Sequence, residues 1–413
     1  MNIPKMIKIK QSFNRQKLLN IEQAVMDEIR RAGVEIKPGA KVAITVGSRG
    51  IANINIITKA IVDSVKNMGG QPFIVPAMGS HGGANARGQV EILESYGVTE
   101  ELMGVPIKSS MQVVEIPADG LGYKIYIDKI ASEADATITV NRIKVHTDFH
   151  GLTESGLLKM MVIGMGNHKQ ATEVHRYGVY GLKELIPLFA RQILKHANII
   201  MGVGIVENAY DETMMVKAIK PEVMEQEEIK LMDIARNNMP KLPVDELDVL
   251  VVDRIGKDIS GTGLDTNIVG RIKIETEKDP DTPKIKRIVI TDLSEGSHGN
   301  SVGMGIADIM TERLKNKIDY KATYENVLTA TFLERGKMPI VAESDKVALE
   351  YALRTCGPVE PENAKVIRIK DTLHLGEMYV SRAVLDEIKD RSNIEVIGEF
   401  IDILDDKDEF IKL

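Results

Sequence analysis

The chain has 413 residues, 43% of them hydrophobic, with 53 basic and 60 acidic side chains and a formal net charge of −7. Two domains are expected at that length, and well-mixed, mildly acidic charge excludes the basic face that a nucleic-acid partner requires. A single cysteine, Cys356, excludes a disulfide framework and an intrachain thiolate cluster; the lack of Trp argues against base- or sugar-stacking platforms; and no apolar run reaches membrane length, nor does the charged stretch Met1–Lys17 read as a signal peptide, so a cytoplasmic protein with no membrane partner is expected.

Lys41–Gly47 (KVAITVG) reads as a buried strand. Ile54, Ile57, Ile61, Val62 and Val65 follow at helical spacing and stop at Met68-Gly69-Gly70. Gln71–Gly79 is a second strand, and Val90, Ile92, Leu93 and Tyr96 mark a second helix. Ala136–Val140 is a third strand, and a helix over Leu182–Ala197 leads into the strand NIIMGVGIV. Strands alternating with helices imply parallel βαβ units. Such sheets bind ligands in loops beyond the carboxyl ends of their strands. The polar, proline-bearing stretch Asn237–Asp248 marks a boundary, giving domains at 1–240 and 246–413. The second series runs DVLVVDRI, KIKRIVITDL, a helix near Gly305–Lys315, MPIVAES, AKVIRIKDT and a helix over Met378–Lys389, with Lys278–Lys286 as a surface turn. The expected class is α/β: two α/β domains, the first Rossmann-like with a mostly parallel sheet, and an active site in the cleft between them.

The strand-end loops carry the candidate chemistry. Gly47–Asn53 (GSRGIAN) sets Arg49 between two glycines at a strand-to-helix junction. There it serves either as a surface arginine in a tight turn or as a planar fork for a carboxylate or phosphate beside free helix N–H groups. Met78–Gly88 carries His81 among small residues. A core histidine has large apolar neighbours, so His81 is the better candidate for moving a proton near neutral pH.

The densest segment is Val140–Gly178, with His146, His150, His168 and His175, half of the eight histidines. It also holds Lys159, inside the apolar run Leu157-Leu158-Lys159-Met160-Met161-Val162. A lysine there must snorkel or find a partner. If desolvated, it is a candidate covalent anchor. There is no HExxH motif and no closed set of four metal ligands. His146 and His150 are spaced for one helix face, but Gly151 favours a loop. In the second domain, Gly256–Lys273 carries Asp265, Asn267, Arg271 and Lys273, and Ser294–Gly303 carries Glu295, His298 and Asn300. Two charged, glycine-rich loops suggest one wall of a cleft.

From about Lys41 onward these residues resemble the lactate racemase family of nickel-pincer-nucleotide enzymes. The resemblance is carried by His146, the loop HGLTESGLLK ending in Lys159, and the interval from Lys159 to His175. It implies that Lys159, with Ser155 and Gly156 beside it, bears a covalently attached nickel pyridinium-3,5-bisthiocarboxylic acid mononucleotide. It also implies that His175 ligates the nickel, with two sulfurs and a carbon of the cofactor as the other donors, which suits a chain with one cysteine. His81 and His146 match the catalytic histidines, with His150 a rival to His146. Arg49, Lys273 and Arg271 match substrate-side positions, Lys273 and Arg271 competing for the carboxylate; His298, in the polar second-domain loop, is a further substrate-binding candidate.

Two departures stand out. GSRGIAN replaces an Asp-His-Thr-Arg-Pro type of loop, and Gly156-Leu157-Leu158-Lys159 replaces Gly-Gly-Arg-Lys at the end of a longer loop. The resemblance thus implies a racemase or epimerase of a 2-hydroxy acid whose substrate need not be lactate. The reaction would run by proton-coupled hydride transfer to and from the cofactor through a 2-keto acid, which avoids a carbanion. Malate racemisation and epimerisation of a sugar acid are alternatives, the latter using Glu295, His298 and Asn300 to read extra hydroxyls. A non-catalytic nucleotide- or metal-binding protein and a zinc hydrolase are alternatives from other classes. The implied partners are a small hydroxy acid and the enzymes that make and load the cofactor; a homo-oligomer is left open.

Overall fold

A computed structural model describes residues 1–413 except Arg49. The chain forms two compact units, one of Asn14–Met239 and one that joins Met1–Phe13 to Pro240–Leu413. Strand β1 (Met6–Gln11) opens the chain. The expected division at 240 puts it in the N-terminal domain; the structure instead pairs it antiparallel with two C-terminal strands. Its Met6 and Ile9 are fully buried there, and β1 lies between two hydrogen-bonded neighbours instead of standing alone.

In the unit Asn14–Met239, β2 (Lys41–Val46) and β3 (Gln71–Pro76) flank the helix Ile54–Asn67. A two-stranded antiparallel ribbon, β4 (Val113–Ile116) and β5 (Ile125–Asp128), precedes β6 (Ala136–Arg142). The helix Ile186–His196 leads into β7 (Ile199–Glu207), which turns back into β8 (Thr213–Ile219). The sheet order is β3-β2-β6-β7-β8, parallel except for the antiparallel β7–β8 pair. Apolar strand residues such as Ile44 and Ile138, and Ile57, Ile61 and Val65 on the helix, have no exposed surface. Burying each such side chain contributes about 1.5–3 kcal/mol before entropy is counted.

Because β2 leads outward to β3 on one side while β6 lies on its other side, the strand order reverses between β2 and β6. The loops after such a reversal splay apart and leave a crevice at the carboxyl ends of the strands. The candidate residues of this unit follow β2, β3 and β6.

The other unit continues with β9 (Glu246–Val252), β10 (Lys284–Ile290), β11 (Ile309–Thr311), β12 (Ile340–Ala342), β13 (Val366–Asp371), β14 (His374–Ser381) and β15 (Ile394–Ile401). Its eight-stranded order is β12-β11-β10-β9-β13-β14-β1-β15; the first five are parallel and the last three antiparallel. Two expected helices are corrected. Gly305–Lys315 holds only a short 3₁₀ turn, then β11, then the helix Glu312–Lys315, because Ile309–Thr311 add a buried rung beside β10. Met378–Ser381 belongs to β14, with helix only over Arg382–Glu387, because Met378 and Val380 pair across to β13. Among the described residues no helix is long and apolar enough to cross a membrane.

Candidate active site

The lysine segment begins after β6. Asn141 at the end of that strand donates from Nδ2 to the Gly156 carbonyl at 2.8 Å. Lys144 and Ser155 exchange backbone hydrogen bonds of 2.9 and 3.2 Å, so the 146–154 loop closes on itself like a purse. Within that loop the fully buried Glu154 carboxylate accepts the His146 N–H at 2.5 Å and the Gly151 N–H at 3.3 Å. Arg236 supplies the balancing charge at 3.1 Å. His146 and His150 sit in a loop, as Gly151 suggests, and not on a helix.

A short helix, Leu157–Lys159, passes into a wide π turn over Met160–Gly164. Glu228, from the helix Met224–Asn237, is fully buried and reaches the start of this segment. Its Oε2 accepts the Leu158 N–H at 3.0 Å, and the Leu157 N–H also favours the charged form. Burial outweighs both and lifts the Glu228 carboxyl to about 7. Gly156 makes this approach feasible: a Cβ there would lie 2.3 Å from Glu228 Oε1. π turns arise where a backbone is adjusted to place a side chain and are frequent at functional sites.

Lys159 is half-buried, and its Nζ lies 2.8 Å from His146 Nε2. His146 Nδ1 accepts the Asp148 N–H at 3.0 Å, and the ring packs on Phe149 with centroids 4.7 Å apart. His150 faces the other way chemically: its Nδ1 is 3.4 Å from Glu154 Oε1, and its side chain is 36% exposed against 14% for His146. The structure therefore brings Lys159 together with His146. His175 ends the helix Asn167–His175 on an exposed turn. Nearby atoms still desolvate its ring enough to hold its pKa below the usual imidazole value; a charged Lys159 pushes the same way and Asp148 opposes both. It is thus presented as a neutral imidazole, the form that binds metals. His168 is exposed on the same helix.

His81 lies in the loop after β3 and is exposed. Its Nδ1 hydrogen-bonds the hydroxyl of Ser48, in the loop after β2, and Tyr96 Oη fixes the Ser48 carbonyl at 2.6 Å. The β3 loop is tied to the lysine segment, since Gly79 N–H donates to the Gly164 carbonyl at 3.2 Å. Gly164 is required at that approach, because a Cβ would lie 2.7 Å from the Ala77 carbonyl oxygen. The β2 loop is anchored in turn by Glu207, which accepts the Ala52 N–H at 2.7 Å and pairs with Arg142. Arg49 lies outside the described residues.

The remaining candidates belong to the other unit. Arg271 is committed inside it: Nη1 meets Asp308 at 2.8 Å and the Ile306 carbonyl, and Nη2 meets the carbonyls of Ile285 and Lys286. Lys273 is half-buried with a left-handed backbone, φ 52°. His298 is exposed and also left-handed, φ 47°, just after the turn Glu295–Ser297. Asn300 braces its own loop, accepting the Val302 N–H at 3.1 Å and donating to Asn326 at 3.2 Å. Asp265 caps the short helix Thr266–Val269 through the Asn267 N–H.

The fold and the β2–β6 reversal define a Rossmann-like α/β protein with its candidate chemistry in strand-end loops. Residues 36–233 match the family model described as Domain of unknown function (DUF362). Among solved structures, the lactate racemase apoprotein from Thermoanaerobacterium thermosaccharolyticum shares the fold, with TM-score 0.53 and 15% identity over 89% of this chain and 98% of that one. A structural-genomics protein from Thermotoga maritima is similar at TM-score 0.52 and 12% identity, over 85% of this chain and 96% of that one. No curated protein sequence matches. The lactate-racemase-type fold expected from the sequence is therefore present.

Proposed function

We propose that this protein is an isomerase, a racemase or epimerase of a 2-hydroxy acid, that carries a nickel pincer nucleotide on Lys159. The observation that carries the reading is the Lys159–His146 contact of 2.8 Å in the segment that follows β6. The residues suit that group. Gly156 leaves the backbone bare beside the lysine turn, Lys159 offers an amine, and His175 offers one neutral nitrogen donor. Among the described residues no group of three or more His, Cys, Asp or Glu side chains is placed to hold a metal ion. A zinc hydrolase needs such a set, whereas a metal brought in by a sulfur-bearing nucleotide needs one histidine.

When bound, the nucleotide supplies a reversible hydride acceptor. The protein's own residues do the rest. His146 and His81 each take the hydroxyl proton of one enantiomer and return it to the 2-keto acid, since the two enantiomers present the hydroxyl in different places. Ser48 orients the His81 ring. Lys273 is assigned to the carboxylate in preference to Arg271, whose guanidinium is already filled by Asp308 and three carbonyls. Arg49 is kept as a substrate-side residue and Ser155 as a cofactor neighbour on the sequence resemblance, and His298 as a substrate-side residue on its place in the Ser294–Gly303 loop.

The test is a panel of single enantiomers (lactate, malate and sugar acids), incubated with protein co-expressed with cofactor-making enzymes and followed by chiral chromatography. Interconversion of at least one member is expected. Loaded protein that inverts none of them contradicts the reading.

A further inference from the structure

We infer that the C-terminal unit carries an anion-binding site of its own, made by Arg254 and His374 and taking a carboxylate or phosphate group. Its place follows from the sheet. β9 leads through β10 and β11 to β12 at one edge, while β13 lies on the other side of β9. The strand order therefore reverses between β9 and β13, and the carboxyl ends of two such strands are where open α/β sheets take ligands. Arg254 follows the end of β9 at Val252. Asp371, the last residue of β13, pairs with His374, the first of β14, across a tight hairpin.

The Asp371 carboxylate joins the two cations. It has no exposed surface. Its Oδ2 accepts the Arg254 Nε–H at 2.9 Å, and its Oδ1 lies 2.6 Å from His374 Nδ1. Oδ1 also accepts the backbone N–H groups of Leu373 and His374, each at 3.0 Å, so the turn is closed without help from either side chain. A buried carboxylate needs a balancing charge, and Arg254 supplies it through one N–H. Neither Nη group of Arg254 and not Nε2 of His374 has a partner among the described residues. These side chains are 38% and 49% exposed. Arg271 and Arg368 in the same unit differ: the first meets Asp308 and three carbonyls, and the second holds Asp253 with two nitrogens and the Ile411 carbonyl with one of them.

The open Nη1–Nη2 edge is a planar fork that fits two oxygens of a carboxylate or phosphate. His374 gives its Nδ1–H to Asp371, and a ring that also donates from Nε2 is the imidazolium, the form favoured between two anions. Two oxygens of one carboxyl group hold the guanidinium and the ring side by side. The hairpin itself is fixed, since buried Thr372 accepts the Asp265 N–H through Oγ1 at 3.0 Å and so ties it to the Gly256–Lys273 segment. The inference goes beyond the racemase reading and does not depend on it.

The experiment titrates inorganic phosphate and succinate separately into the full-length protein by calorimetry, with the ring signals of His374 followed by NMR. Saturable binding of at least one of them, millimolar or tighter, is expected, with the His374 signals moving in step. The tighter of the two assigns the site to phosphate or to carboxylate ligands. Arg254→Lys keeps a charge beside Asp371 and removes the fork; His374→Asn keeps a donor for Asp371 and removes Nε2. Each should weaken binding about tenfold or more. No saturable binding, or variants that bind as the wild type does, overturns the inference and leaves Asp371 as a brace for the hairpin. If neither variant folds, the wild type decides: His374 signals that stay in place at saturation overturn it.

Discussion

Lys159 Nζ and His146 Nε2 meet at 2.8 Å, although the whole 147–158 loop separates them in sequence. The loop returns to its start because Lys144 and Ser155 pair and because Glu154 gathers the N–H groups of His146 and Gly151. This contact separates His146 from its rival: His150 is half exposed and turned to Glu154. In the loaded enzyme, His146→Ala and His81→Ala are each expected to lower kcat/KM for racemisation by about 10²–10⁴-fold, the range for losing a positioned acid–base group. His150→Ala should change it little. Kinetics from each enantiomer separately check this.

The buried Glu228 carboxyl predicts a pH dependence of stability. Its folded pKa is raised from 4.5 to about 7, so between those values the folded protein binds a proton that the unfolded chain does not. Stability from this group is present in full below pH 4.5 and is lost as pH rises through 7. The loss is on the order of 3 kcal/mol. Urea unfolding of the wild type should show this decline between pH 5 and pH 8, and Glu228→Gln should show a shallower one.

Gly156 and Glu228 should be energetically coupled. Gly156→Ala puts a methyl 2.3 Å from Glu228 Oε1 and should cost about 1–3 kcal/mol by overpacking. Combined with Glu228→Ala, the same substitution should cost much less, as a double-mutant cycle would measure.

Arg271 and Lys273 should part ways. Arg271→Ala leaves Asp308 and three carbonyls without their partner and should destabilise the protein by about 3 kcal/mol or more in denaturant unfolding. Lys273→Ala should leave stability nearly intact and raise KM for the hydroxy acid.

His175→Ala should separate metal from tether: the adduct on Lys159 remains, and nickel is lost on desalting. Metal analysis beside intact mass would show it.

Much of the N-terminal sheet is legible in the sequence because its strands are short apolar runs bounded by glycines, as in KVAITVG followed by Ser48. The edges of the C-terminal sheet are not. β1 alternates Met6, Lys8 and Lys10 with Ile7 and Ile9, and its partners lie at the far end of the chain. Met378 and Val380 fit helix and strand alike until β13 is beside them. The histidines and Lys159 stand out by residue type. Glu154, Glu207 and Glu228 do not, since an acidic residue in a loop, at a strand end or in a helix usually faces water and only the tertiary structure shows these carboxylates buried against backbone N–H groups. A glutamate with apolar neighbours at helical spacing, as Glu228 has in Met224, Leu231 and Met232, is the signal that could have found one of them.

The most direct measurement is intact-protein and peptide mass spectrometry, with metal analysis, on protein co-expressed with the cofactor-making enzymes. A nucleotide-sized adduct mapping to Lys159 is expected together with bound nickel, both absent from Lys159→Ala. Unmodified Lys159 with no nickel, or zinc in its place, would contradict the proposed function.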